Sequence, residues 1–370
     1  MTPPEARIRR EIADHNGAIP FSRFMELALY STEGGYYETH ERTIGRRGDF
    51  FTSVSVGDVF GQILGTRFAA CLGQLGEGPL GIVEAGAHDG RLAADILGWL
   101  ASHAPELFPR LTYTLVEPSP VRRGWQQERL APWGSRIAWV EGIGQVPDGV
   151  RGILFSNELL DALPVHPLAW SVPDRGWRER GVGVSPSGDL AWVLLPRDPS
   201  RIDQLFREAH LADPTELHGV LPDGYILELC PAAAAWWKGV AERLAEGWIV
   251  GIDYGMSMEE LLRPERTGGT LRAYSHHRVS DNVLADPGSQ DLTAHVNFTS
   301  IEAAGMALGL VTEGLSRQGE YLVRAVDAAV RRGVEFPWTP AQRRQFQTLV
   351  HPQHLGHSFR VLEQRRRGPG

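Results

Sequence analysis

Apolar positions recur along the chain at two spacings, and the switch between them marks out its elements. Phe24, Leu27 and Ala28, then Phe60, Ile63, Leu64, Phe68 and Leu72, stand three and four residues apart, the spacing of one helical face. Ser22 stands where a side chain could cap the first of these helices. From Gly81 the pattern changes to a short unbroken apolar run, Gly81-Ile-Val-Glu-Ala-Gly-Ala, which predicts a buried strand. Leu92, Ile96, Leu97 and Leu100 then return to helical spacing over 91–100. Tyr113-Thr-Leu-Val-Glu predicts a second strand, and Ser119-Pro120 opens a second helix with a cap and a proline in its first turn. Ile137–Val140 and Gly152–Ser156 supply two more strands. Strands and helices alternating at this interval require crossovers, so the expected fold is α/β, a doubly wound, mostly parallel sheet covered on both faces.

After Pro164 the alternation breaks. Leu168–Val172, Trp177–Val184 and Asp189–Leu195 predict short antiparallel strands joined by turns, a β-rich insertion over 165–222. Pro231 opens a helix expected to close at Gly247, and Trp248–Gly255 returns to the central sheet. An irregular stretch follows over 256–298. Thr299 and Glu302 have capping-box spacing and predict a helix ending near Gly309. The tail 364–370 is expected to fray. The whole, 1–370, is read as one domain. It comprises an N-terminal helical cap (1–78), a ligand-binding first half of the sheet (79–164), the insertion, and the remainder of the sheet (223–370).

Composition narrows the function. With 37 basic residues against 45 acidic ones, the net charge of −8 speaks against a nucleic acid partner. Lys238 is the only lysine, set among alanines and tryptophans on what reads as a solvated helix face, so mechanisms built on a phosphate-loop or Schiff-base lysine are excluded. Cys71 and Cys230 have no partners at metal spacing and read as buried reduced thiols. No segment reaches the ~20 apolar residues of a membrane span, and Met1–Arg7 has no apolar signal core. Together these predict a cytoplasmic protein without a membrane partner.

The chemistry gathers at strand ends. The first strand runs into Glu84-Ala-Gly86-Ala-His88-Asp-Gly90, where glycine lets a ligand approach the backbone and the next helix offers free N–H groups. Glu117 closes the second strand 27 residues beyond Gly90, placed to accept from two ribose hydroxyls. A nucleoside ligand follows. A dinucleotide is disfavoured, because position 88 carries histidine rather than glycine and Glu84 would repel phosphate. A sulfonium with an amino-acid tail, S-adenosylmethionine, suits Glu84 better.

Seven strings extend this reading: Gly48-Asp-Phe-Phe-Thr-Ser, Glu84-x-Gly86, Leu115-Val-Glu-Pro-Ser-Pro, Asn157-Glu-Leu-Leu-Asp-Ala-Leu-Pro164, Asp253-Tyr-Gly255, Gly269–Tyr274 and Asp291-Leu-Thr-Ala-His-Val-Asn-Phe298. In this order they resemble the MidA family of class I S-adenosylmethionine-dependent methyltransferases, from about Ile19 to about Phe298. The resemblance implies a class I methyltransferase sheet, S-adenosylmethionine as cofactor, and a protein arginine as methyl acceptor. It implies that Asp49, Glu84, Gly86, His88, Gly90, Glu117 and Asn157 surround the cofactor. Two departures stand out: His88 replaces a glycine of the family's loop, and Val54-Ser55 replaces its Pro-Glu.

An arginine acceptor is a cation that must lose a proton, and paired carboxylates are the natural device for holding it. Glu158 and Asp161, three apart after a strand, are the catalytic candidates, with His295 as a proton relay; turn-capping and structural roles are the alternatives for each. Gly34–Tyr37 and Gly48–Phe50 are expected to lid the cofactor, with Tyr36 and Tyr37 as walls or as aromatic staples. His351, His354 and His357 carry no accompanying carboxylate, and no metal is expected. Alternatives to a protein methyltransferase are a fold retained for assembly or binding with weak turnover, and a small-molecule methyltransferase.

Overall fold

The computed structural model describes residues 1–38, 52–275 and 278–368. Its centre is a sheet of seven main strands: β1 (Leu80–Ala85), β2 (Leu111–Val116), β3 (Ile137–Val140), β4 (Val150–Asn157), β5 (Leu244–Met256), β6 (Val311–Arg317) and β7 (Phe359–Arg366). Their spatial order is β6-β7-β5-β4-β1-β2-β3. β3, β2, β1, β4 and β5 pair in parallel, while β7 is antiparallel to both β5 and β6. Winding outward in both directions from β1 makes the sheet doubly wound, as the strand–helix alternation predicts.

Period-two alternation divides the strands between two cores. Leu80, Ile82, Ile153, Phe155, Val250 and Ile252 pack with the helices Val59–Leu72 and Arg91–His103. Val83, Ala85, Leu154 and Ile249 pack on the other face with Pro231–Arg243 and Phe298–Met306. Apolar residues on both faces are what a parallel sheet covered by crossovers needs, which is why these strands read as unbroken apolar runs.

Several local expectations are corrected. Gln364 is fully buried in β7, where it accepts from Trp237 Nε1 at 2.8 Å and donates to the Glu302 carbonyl, so the tail is sheet rather than frayed end as far as Arg366. A single polar side chain amid a charged tail hid this strand. The first helix of the Ser22 prediction, Phe21–Tyr30, takes Ser22 inside it, and Ser119 precedes its helix without a side-chain cap bond. Asn297, not Thr299, caps Phe298–Met306, accepting from Thr299 N and Ser300 N. The helix from Pro231 ends at Arg243 and β5 begins at Leu244. The insertion holds an unexpected helix, Pro199–Glu208, and runs past 222 to its last strand, Ile226–Leu229. It has a core of its own around Trp170, Trp177, Phe206 and Tyr225. Ala18–Pro20 pairs antiparallel with Gly181–Gly183, tying the N-terminal cap to the insertion.

Candidate active site

At the carboxyl ends of β1 and β4 lies a cavity with an empty volume of about 1050 Å³, its open mouth included. The turn after β1 forms its floor. Gly86 has φ +77°, and a Cβ there would meet the Leu159 side chain at 3.2 Å, so glycine is needed both for the conformation and for the space. Gly90, also left-handed at φ +78°, starts the helix Arg91–His103 and packs on Leu130, without lining the cavity. Glu84 faces the cavity nearly fully buried; Tyr113 Oη donates to its Oε2 at 2.6 Å, and burial pushes its carboxyl up to about 8. His88, which stands in place of a glycine of the family's loop, lines the cavity at φ +46°, in the left-handed region that favours glycine.

Glu117 stands just beyond β2, but its carboxylate is partly engaged: Oε1 accepts from Ser119 N and Oε2 from Gln126 Nε2, both at 3.0 Å. It is not among the lining residues, although each oxygen keeps acceptor capacity. Burial raises its pKa. Over the cavity, Tyr37 Oη donates to Asp291 Oδ1 at 2.8 Å, and the Arg122 guanidinium lies 4.6 Å from the Tyr37 ring centre. Tyr30 also lines the cavity, whereas Tyr36 is buried against Tyr37 in the cap core. Of the two predicted aromatic walls, one is a wall and the other a staple.

The turn after β4 carries the acidic groups. Asn157 Nδ2 donates to Glu158 Oε1 at 3.0 Å, while Asn157 Oδ1 is buried and unpartnered on the cavity wall. Glu158 lines the cavity at φ +54°, and burial pushes its carboxyl up to about 8. Asp161 is buried behind the lining residues; burial, then its neighbours Asp253 and Asp291, hold its carboxyl well above the usual range. Asp253 accepts four main-chain N–H bonds, which favour its charged form against the burial that pushes its carboxyl up to about 7.

The profile of a family described as "Putative S-adenosyl-L-methionine-dependent methyltransferase" matches residues 63–316. The chain belongs to that family. A Burkholderia thailandensis protein crystallised with S-adenosyl-homocysteine is similar in structure, with a TM-score of 0.86 and 31% identity over 99% of this chain and 92% of that one. Among curated proteins, the mitochondrial protein arginine methyltransferase NDUFAF7 of Mus musculus is 28% identical over 93% of this chain and 80% of its own length. Its Drosophila melanogaster homologue is 27% identical over 94% and 81%.

This chain is thus an S-adenosylmethionine-dependent methyltransferase, and the class I fold expected from the sequence is borne out. The cytoplasmic expectation is overturned: the curated relatives are named as mitochondrial proteins. An N-terminus without an apolar core therefore does not place the chain in the cytoplasm. Among the described residues no helix is long and apolar enough to cross a membrane.

The cavity of this methyltransferase fits the cofactor. Asn157 Oδ1 offers a buried acceptor without a partner, and the left-handed Gly86 bares main chain where a Cβ would otherwise press on Leu159. Of the residues expected around the site, Glu84, Gly86, His88, Asn157 and Glu158 line this one cavity. Asp49, with the Gly48–Phe50 lid, lies outside the described residues. His295 is corrected: it lines a separate small cavity with Cys230 and Ser300, its Nδ1 unpartnered, and burial lowers its pKa to about 4. A neutral ring beyond the turn is not poised to relay a proton from Glu158.

The Val54-Ser55 departure has a local explanation. Ser55 Oγ accepts from Thr52 N and Thr52 Oγ1 from Ser55 N, both at 3.0 Å, so serine completes the capping box of Ser53–Val56. Both Val54 and Ser55 line the cavity. Sequence reasoning missed Arg122, Tyr30 and Asp291 as neighbours of the site, since nothing local marks a residue that arrives from another element. Cys71 and Cys230 are free thiols, Cys71 buried and Cys230 half-buried, and burial pushes both up to about 12. Lys238 is exposed beside Glu242, as its helix face predicts. No group of metal-ligating side chains occurs among the described residues.

His88→Gly tests the histidine directly. Removing the side chain from the cavity wall lets the cofactor approach the main chain there, and the expected result is cofactor binding tighter by about three- to tenfold. Isothermal titration with S-adenosylmethionine reads it; unchanged affinity means that the histidine is no obstruction.

Proposed function

We propose that this methyltransferase modifies an arginine side chain of a protein, with Glu158 as the group that binds the acceptor and takes its proton. The observation that carries the reading is the Glu158 carboxyl at the wall of the cofactor cavity, backed by the buried carboxyls Asp161, Asp253 and Asp291. The relatives named as protein arginine methyltransferases support the same acceptor.

When bound, the cofactor supplies a methyl group on a sulfonium. Glu84, the main chain at Gly86, the Asn157 amide oxygen and the Glu117 carboxylate are the groups of this chain that would hold it. Tyr30, Tyr37 and Arg122 cover the cavity and keep water from the reacting centre. A guanidinium nitrogen is a poor nucleophile while its lone pair is delocalised in the cation. A carboxylate facing it orients one nitrogen and accepts the proton that must leave as the N–C bond forms. Glu158 suits that role because a carboxyl pushed up to about 8 is a stronger base than an ordinary glutamate.

The pH dependence follows from the same shift. Only ionised Glu158 can accept a proton, so transfer should rise with pH and level off above about 8. Stability should move the other way. Glu84 and Glu158 both have folded-state values of about 8, above their unfolded values, so the stability they contribute is complete below the unfolded value and is lost as pH rises through about 8. Rate profiles and thermal melts across that range check both signs.

The deciding experiment incubates the protein with [methyl-³H]S-adenosylmethionine and protein extract from cells grown under a methylation inhibitor, followed by acid hydrolysis and amino-acid analysis. Label in methylarginine supports the reading. Label only in other residues or in small molecules overturns it.

A further inference from the structure

The turn that carries Glu158 and Asp161 has no regular secondary structure to hold its first residues, and it begins with a glutamate in a left-handed conformation, φ +54°. Such a residue persists only where its surroundings over-determine it. Four consecutive N–H groups in this turn go to two neighbouring residues of β5. Glu158 N donates to the Ile252 carbonyl at 2.9 Å. Leu159 N, Leu160 N and Asp161 N converge on a single oxygen, Asp253 Oδ2, at 3.1, 2.8 and 3.4 Å. The other oxygen, Oδ1, accepts from Tyr254 N at 2.8 Å. Asp253 is fully buried and does not line the cofactor cavity.

We infer that Asp253 is a positioning residue for methyl transfer: its carboxylate gathers the amides of 159–161 and so holds Glu158 at the cavity wall. The inference rests on the role proposed for Glu158. A carboxylate is the side chain that serves all four donors at this length. In Asp253→Asn the amide has one acceptor oxygen and one donor nitrogen. Oriented toward the turn, it sets its NH₂ against Tyr254 N–H; oriented the other way, it sets NH₂ against three N–H groups of the turn. Either arrangement leaves buried donors facing a donor, which costs more than the bond itself.

When ionised, Asp253 also sets a negative charge next to the groups it positions; burial holds its own carboxyl up at about 7. Glu158 and Asp161 face it from the turn, Tyr254 from its own strand, Cys230 from the N-terminus of the preceding helix Pro231–Arg243, and Asp291 adds its charge to Glu158 and Asp161 from the strand Asp291–Thr293. Removing the Asp253 charge removes repulsion that disfavours ionised Glu158, so Glu158 should ionise at lower pH.

The test compares Asp253→Asn with wild type and Glu158→Gln. Hydrogen exchange read by mass spectrometry on the peptide spanning 158–163 should speed up by about tenfold or more in Asp253→Asn. S-adenosylhomocysteine affinity by titration should stay within about threefold. The rate of label transfer to extract protein should fall about 10- to 100-fold, with the acid limb of its pH profile moved to lower pH. A residue that merely stabilised the fold would lower the active fraction and leave that limb in place. Unchanged exchange protection over 158–163 overturns the inference, as does wild-type transfer by Asp253→Asn under conditions where Glu158→Gln is inactive. If wild type itself labels no arginine, the reading of the acceptor has failed, and the exchange and titration results alone decide whether Asp253 holds the turn. Should Asp253→Asn prove insoluble, Asp253→Glu, which keeps the charge but displaces the acceptor, is read by the same exchange experiment with the same outcomes.

Discussion

Glu158→Gln should lower methyl transfer by about 10²- to 10⁴-fold, the usual contribution of a positioned general base, while cofactor affinity changes by less than about threefold. Glutamine keeps the shape and an acceptor oxygen, so the bond from Asn157 Nδ2 at 3.0 Å and that from Ser53 N at 3.3 Å can persist. What is lost is the ability to take a proton. The substitution separates binding from chemistry because Glu84, Gly86 and Asn157, on the same cavity, are untouched. Titration with S-adenosylhomocysteine and single-turnover transfer of the tritiated methyl group read the two quantities independently. Normal transfer by Glu158→Gln would remove Glu158 from the chemistry altogether, and a parallel loss of cofactor affinity would make it a binding group instead.

Gly152→Ala should be the most damaging small substitution in the sheet, costing about 3–5 kcal/mol or preventing soluble expression. Gly152 in β4 lies in register with Gly81 of β1 on one side and Gly247 of β5 on the other. A Cβ on Gly152 would fall inside the contact distance of the Gly81 carbonyl oxygen, and one on Gly247 would do the same to Gly152. The atoms that would have to yield are main chain in the centre of a parallel sheet, so no side-chain rotation relieves the overlap. Gly81→Ala is the matched control, because its nearest neighbour is the Val150 side chain at 3.1 Å, which can give way. Denaturant midpoints of the two variants should therefore differ widely. Equal midpoints would mean that the sheet opens here more readily than its geometry allows.

The seven-strand sheet was only partly written in local pattern. β1, β2, β4 and β5 announced themselves as short apolar runs because both faces of each strand are covered, with polar residues such as Glu84, Asn157 and Asp253 confined to the carboxyl ends. β6 and β7 did not, since β6 exposes Val311 and Leu315 at the sheet edge and β7 mixes Phe359, Val361 and Leu362 with charged residues that reach solvent or pair with neighbours. Their strand character comes from pairing with β5, which no window of sequence contains.

The site divides along the same line. The sequence by itself determined the chemistry available at the ends of β1 and β4. A glycine-bearing turn after an apolar strand must leave main chain open to a ligand, and an Asn-Glu pair at a strand end must point somewhere polar. Those are local consequences of backbone conformation, and Glu84, Gly86, His88, Asn157 and Glu158 do share one cavity. Only the tertiary structure decided which acids meet it and which do not. His295 and Asp161 look equally eligible in sequence, yet one lies in another cavity and the other behind the wall. Asp253, Arg122, Tyr37 and Asp291 reach the site from four separate segments. Burial, which sets the protonation of the carboxyls, is a property of the whole packed interior, and no short stretch of chain encodes it.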